Sequence, residues 1–254
     1  MRAESNKRPC SMTLRPLPWL SVALLIAGWW WGDTLPPVAS LHPDVLTEPQ
    51  QTGTQRRPFK VQAQKIDYTV TPVQDYAISG LVVSRHDTST WWNWLHAAAN
   101  DHLNVADLCM VWGANARSGA YTRMSFSSGQ FVCYVSTRDP EAARPDNLRA
   151  LSNNHLLTDS PAVARHLRGL RVGDQVTIRG ELAEYRHRAG FDFFRGTSLT
   201  REDQGNGACE TIFVRDVKVL RSAPLWPQLM WWAGLGLVVL SLGQWWNRSH
   251  RRDD

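Results

Sequence analysis

The densest run of chemically capable side chains is Arg195–Glu210. It reads Arg195-Gly-Thr-Ser198, then Thr200-Arg201-Glu202-Asp203, then Gly205-Asn-Gly207-Ala-Cys209-Glu210. A cysteine attacks as its thiolate and needs a base within hydrogen-bond reach. His155, in Asn153-Asn154-His155, is the histidine to pair with Cys209, and Asp203 or Glu210 would supply the carboxylate. Together they would suit a thiol- or carboxylate-dependent hydrolase. The same residues also suit a hairpin loop, with glycines in the turn and carboxylates hydrogen-bonded to the backbone. No nucleophile-elbow sequence surrounds Cys209, so the loop reading outweighs the catalytic one.

Other chemistries find less support. His96, Asp101 and His102 are a conceivable metal set. Six residues apart on a helix, the two histidines fall on different faces, and no third ligand is evident. No metal site is expected. The chain has no Walker A sequence, no Gly-x-Gly-x-x-Gly and no Cys-x-x-Cys, so no cofactor is expected.

The elements that must carry these residues lie between two apolar segments. Nine of the thirteen tryptophans fall in Leu17–Gly32 and Leu225–Trp246. Indole rings favour the membrane–water boundary. A helix needs about 20 apolar residues to cross about 30 Å of hydrocarbon, and residues 225–246 supply them. Residues 17–32 are at the short end for a span and also resemble a signal peptide, with Val38-Ala39-Ser40 as a cleavage site. Three bulky tryptophans at the end of the segment favour an uncleaved anchor. Basic flanks stay in the cytoplasm. Arg2, Lys7, Arg8 and Arg15 precede the first segment, and Arg248, Arg251 and Arg252 follow the second. The tails 1–16 and 247–254 are then cytoplasmic, and the centre is extracytoplasmic.

A pI near 9.3 suggests nucleic acid, but the location of the charges removes that suggestion. The tails carry seven Lys/Arg against three Asp/Glu, whereas residues 33–222 carry 21 against 20. The basic excess faces anionic lipid, and no nucleic-acid partner is expected. The Arg165, Arg168 and Arg171 cluster has the spacing of a solvated helix face. Cys109, Cys133 and Cys209 would meet an oxidising compartment. Three pairings are possible. Cys109–Cys133 is preferred, because both lie in strand-like sequence and Cys209 lies in a glycine-rich loop.

Residues 33–59 hold five prolines and no aromatic residue before Phe59, and read as a linker. A folded domain is expected over 60–222. Ala77–Arg85, Tyr121–Phe126, Gln130–Ser136, Gln175–Tyr185, Phe191–Phe194 and Thr211–Leu220 read as strands. Ser160 caps a helix opened by Pro161. A short helix, a Gly-Asp turn, a long strand bent at Gly180 and a last strand suit an OB-like Greek-key barrel. The expected class is therefore mainly β with short helices, between two transmembrane helices. Residues 90–116, with Trp91, Trp92 and Trp94, read as an insertion on that barrel or at the membrane surface.

Asp107-Leu-Cys-Met-Val-Trp112-Gly113, Asn154-His155-Leu-Leu157 and Ser198-Leu-Thr-Arg201-Glu-Asp203-x-Gly205-x-Gly207-Ala-Cys209-Glu210 together resemble a family of bacterial membrane-anchored envelope proteins. The resemblance covers about residues 70–215. It implies a bacterial envelope protein and supplies no reaction. The expected function is an inner-membrane protein whose periplasmic domain binds an envelope protein or a glycan. Trp112, Asn154, Arg195, Ser198, Arg201 and Asp203 are the expected contacts. The alternatives are the Cys/His/carboxylate hydrolase and a structural subunit of a membrane complex. From Leu220 to Leu225 the chain spans at most about 15–18 Å, which would hold the domain at the bilayer surface.

Overall fold

The computed structural model describes residues 17–90, 93–200 and 209–250. It divides into two units, residues 1–32 with 224–254, and residues 33–223.

The described part of the first unit is a helix pair, α1 (Leu17–Trp30) and a C-terminal helix (Trp226–His250). Among the described residues, one helix is long and apolar enough to cross a membrane, over Trp226–Trp246. The fourteen residues of α1 are apolar but reach only about 21 Å at 1.5 Å each. Gly28 lies against Pro227 and Trp231, while Gly234 lies against Ser21 and Leu25, so the helices run antiparallel. A Cβ at Gly28 would stand 2.7 Å from the Pro227 carbonyl oxygen. Small residues of this kind let two apolar helices pack closely.

The second unit is mixed α and β, dominated by one sheet. Its elements run β1 (Gln50–Gly53), β2 (Phe59–Ala63), β3 (Ile66–Asp87), α2 (Trp94–Ala98), β4 (Asn104–Val111), α3 (Gly113–Ser118), β5 (Ser125–Gly129), β6 (Val132–Ser136), α4 (Pro145–Arg149), β7 (Leu151–Leu157), α5 (Pro161–Gly169), β8 (Gln175–His187), β9 (Phe193–Arg195) and β10 (Glu210–Arg221). The C-terminal helix is α6. The 22-residue β3 pairs with both β4 and β8, β8 with β10, β10 with β7, and β7 with β4. Five strands thus close a ring, in which β7 and β10 are parallel and every other neighbouring pair is antiparallel. Inside it pack Ile78, Leu108, Met110, Leu156, Ile178, Leu182, Ile212 and Val214, with Leu167 and Leu170 from the α5 region. Ser160 Oγ accepts from the Val163 amide at the start of α5. Gly180 is needed where β8 crosses β10, because a Cβ there would lie 2.0 Å from the Phe213 carbonyl oxygen.

Three expectations about organisation change. Residues 33–59 are part of the second unit rather than a linker. Leu41 and Val45, in and beside two 3₁₀ turns, pack with Leu81, Val83 and Tyr121. Gln175 also grips both sides of Leu41, between the two turns, through the His42 amide and the Ser40 carbonyl. A few well-spaced apolar anchors suffice for a segment whose prolines already restrict its unfolded state. Residues 90–116 are not an insertion as a whole, because β4 is a fully buried strand of the ring. Both of its faces are covered, so the period-2 pattern of a half-buried strand is missing. The hairpin is β5–β6, and Tyr121 lies before it in a 3₁₀ turn with its hydroxyl donating to the Pro36 carbonyl.

Candidate functional site

One carboxylate, Asp107, organises the outer face of β4 and β7. The ring interior takes Leu108, Met110 and Leu156, so strand alternation sends Asp107, Cys109, Asn153 and His155 outward together. Asp107 and His155 are register partners, and Asp107 Oδ1 lies 2.7 Å from His155 Nδ1. Oδ1 also accepts from Asn104 Nδ2 at 2.8 Å, and Oδ2 from the Phe131 amide at 3.0 Å. His96 Nε2 stands 3.4 Å from Oδ2, an ion-pair contact out of line for a hydrogen bond. Asp107 and His155 are wholly buried. Burial alone would raise the Asp107 pKa, but the charge and hydrogen bond of His155, with the charge of His96, reverse this and hold it well below the carboxylate range.

His155 joins three further groups. Thr211 of β10 is its register partner, and Cys209 lies just before that strand. The Cys209 side chain lies close enough to act on the His155 imidazole and favours its charged form. Arg195, at the end of β9, places Nη1 3.0 Å from His155 Nε2 and its guanidinium carbon 4.1 Å from the Phe131 ring centroid. Burial disfavours the charged imidazole and Arg195 opposes it. The Asp107 carboxylate, helped by Cys209, prevails and raises the pKa to about 9. A guanidinium can only donate, so the Arg195 contact belongs to neutral imidazole with Nδ1–H on Asp107. When His155 is protonated, Nε2 carries a hydrogen and Arg195 must give way.

A second layer supports this one. His96 Nδ1 lies 3.3 Å from Asp101 Oδ2, which also accepts from the Tyr185 hydroxyl at 2.8 Å. Burial favours neutral His96, yet the two carboxylates outweigh it and raise its pKa. The His96 and Phe131 rings lie against each other, with centroids 3.6 Å apart and planes tilted by 32°. Phe131 has φ 66°, a left-handed conformation that an aromatic residue rarely adopts, and sits where the β5–β6 hairpin turns. The Cys109–Cys133 disulfide, with a Cα–Cα distance of 5.7 Å, ties that hairpin to β4 two residues from Asp107. Cys209 is a free thiol and is partly exposed.

The structure brings Cys209, His155 and Arg195 together and separates the other expected contacts from them. Glu210 pairs with Asn154 one rung from His155, and alternation turns both toward the ring interior. The carboxylate at His155 is therefore Asp107 and not Glu210. Trp112 is fully buried, with Nε1–H donating to Glu48 Oε2 at 3.1 Å. Asn154 is wholly buried and donates to the Leu108 carbonyl. Ser198 is 1% exposed, and its amide donates to the Cys209 carbonyl. None of these three presents a surface to a partner, because their apolar area or backbone bonds are used within the fold. Arg201 and Asp203 lie outside the described residues. Among the described residues, no group of three His, Cys, Asp or Glu side chains is placed to hold a metal.

Sequence reasoning missed Asp107, Phe131 and Asn153. A signal for Asp107 existed. It is the one charged residue in the run Val105–Val111, and a charge in a buried strand must be paired. Nothing local marked Phe131, which reaches the site through the disulfide-tied hairpin.

No family model, curated protein or solved structure matches this chain. The site is therefore read from its own geometry.

Proposed function

We propose that this protein is a membrane-anchored extracytoplasmic enzyme of the bacterial envelope that transfers or hydrolyses acyl groups through Cys209. The observation that carries this reading is the 2.7 Å contact of Asp107 with His155, on a strand whose neighbour brings the Cys209 thiol beside that imidazole. In this reading Asp107 fixes the imidazole with Nδ1 toward the carboxylate. His155 Nε2 takes the thiol proton, and the sulfur attacks a carbonyl carbon. Arg195 supplies positive charge beside the reacting pair. The strand circuit, with its single parallel pair and with α5 between β7 and β8, supports an OB-like barrel. The antiparallel pair α1–α6 supports two membrane helices with both termini in the cytoplasm, and the lipid bilayer as a partner.

The test is acylation of the full-length chain in detergent by p-nitrophenyl acetate. The expected result is a burst of p-nitrophenolate with acetyl on the Cys209 peptide, lost in Cys209→Ser and in His155→Ala. A Cys209 peptide that stays unmodified while the ester is present would overturn the reading.

A second reading rests on the Arg195–His155 contact. If Arg195 holds Nε2 permanently, the cluster serves to fix β9 against β7, and the domain is a binding module for an envelope protein or glycan. In that case Cys209 alkylation by iodoacetamide is no faster in the natural chain than in His155→Ala.

A further inference from the structure

We propose that Asn153 is the oxyanion donor of the Cys209 site; the proposal rests on the acyl-transfer reading above. Asn153 is 5% exposed, and neither its Nδ2 nor its Oδ1 has a hydrogen-bond partner. A buried amide left without partners forfeits stability and calls for an explanation. Its neighbour shows that the strand does not require an idle amide donor: Asn154 Oδ1 also lacks a partner, but its Nδ2 donates to the Leu108 carbonyl and to Ser152.

The placement of Asn153 supplies the explanation. It lies two residues before His155 on β7, so the two side chains share a face. Glu210 pairs with Asn154, which sets Cys209 alongside Asn153 on the neighbouring strand. Strands are about 4.8 Å apart, so a carbonyl carbon bonded to the Cys209 sulfur carries its oxygen between sulfur and carboxamide. On the other side Asn153 pairs with Cys109, whose disulfide holds the hairpin over this part of the sheet. A rigid donor without a partner, beside a nucleophile and its base, is the arrangement that stabilises a developing oxyanion.

The step balances as follows. The Cys209 sulfur bonds to the carbonyl carbon while the thiol proton passes to His155 Nε2. The carbonyl oxygen becomes an oxyanion and accepts from Asn153 Nδ2–H. Collapse expels the alcohol or phenol, which takes the proton back from His155 Nε2, and leaves a thioester. Water, deprotonated by the neutral His155, then attacks the thioester carbonyl, and the acid leaves as the Cys209 sulfur regains the proton.

The test compares two reagents on one sulfur in the full-length chain. Acylation by p-nitrophenyl acetate passes through an oxyanion, and alkylation by iodoacetamide does not. The ratio of the two rates at Cys209, read by mass spectrometry of its peptide, is expected to fall about 10²–10³-fold in Asn153→Ala. Asn153→Leu, nearly the same size, is expected to lower the ratio similarly while its unfolding midpoint holds or rises, because an unpaired buried amide is removed. A merely structural Asn153 would lower stability and leave the ratio alone. A ratio within threefold of the natural chain in both variants overturns the assignment. A natural chain that alkylates at Cys209 but is not acylated there overturns the acyl-transfer reading beneath it, and the assignment with it.

Discussion

Asp107→Asn is the sharpest test of the buried network. Asn104 Nδ2 and His155 Nδ1 share Oδ1, while the Phe131 amide and His96 face Oδ2. An asparagine with its oxygen at the Oδ1 position keeps the first two contacts and turns an NH₂ toward the Phe131 amide. Leaving that buried donor unsatisfied costs about 1–3 kcal/mol. The substitution also removes the charge that holds the His155 pKa near 9. Against about 6.5 unfolded, a shift of that size corresponds to about 3 kcal/mol at neutral pH and below. Breaking a buried ion pair typically costs about 3–5 kcal/mol, so a loss of about 4 kcal/mol is expected. The sign of the pH dependence follows from the same shift. A raised folded pKa gives stability that is complete below about pH 6.5 and lost as pH rises through about 9. His96 is shifted the same way by the same carboxylate and by Asp101. Tyr68, Tyr121 and Tyr185 are all raised above their usual value of 10 and act only at higher pH. Urea titration of the full-length chain in detergent, followed by intrinsic fluorescence between pH 6 and 9.5, therefore keeps clear of the tyrosines, and the comparison with Asp107→Asn picks out the histidines that this carboxylate holds. The natural chain should lose stability across that window, and Asp107→Asn should start lower and stay nearly flat. A cost under about 1 kcal/mol, or an alkaline decline as steep in the variant as in the natural chain, would refute this account of the site.

Three other outcomes follow from the fold. Cys133→Ser opens a loop between residues 24 apart and should cost about 3 kcal/mol by loop entropy, measured by the same titration. It should also slow Cys209 acylation, because the hairpin that presents Phe131 is untied. Gly180→Ala puts a Cβ 2.0 Å from the Phe213 carbonyl, forces β8 from β10 and should cost at least about 1–3 kcal/mol; an unchanged midpoint would contradict the strand crossing. A membrane-impermeant maleimide applied to intact cells should reach Cys209 and spare Cys10, and labelling of Cys10 from outside would reverse the proposed orientation.

Legibility in the sequence followed local periodicity. Ser160-Pro161 marked a helix start, and the alternation from Val176 to Leu182 marked a strand, because each signal is carried by residues close in the chain. β4 was hidden because both its faces are buried, which erases the alternation that identifies a strand. The segment 33–59 was misread for the opposite reason. Its composition is that of a linker, and only long-range partners such as Gln175 and Tyr121 fix it in place. The Cys209–His155 pair was legible as two reactive side chains. Its carboxylate was not, because Asp107 precedes His155 by 48 residues and meets it only through strand register.

That register explains why the cluster sits on this face. The ring closes over a mainly apolar interior that needs no help from Asp107, His155 or His96. On stability alone, well-packed apolar residues at the three positions would serve as well or better. Yet β4, β7, β9, α2, the β5–β6 turn and the segment leading into β10 each deliver one group to the same carboxylate or its histidine. One of them does so with a strained left-handed Phe131. Strain and buried charge gathered at one point, next to a partly exposed thiol, mark a place where the fold gives up stability to hold reactive groups in fixed positions.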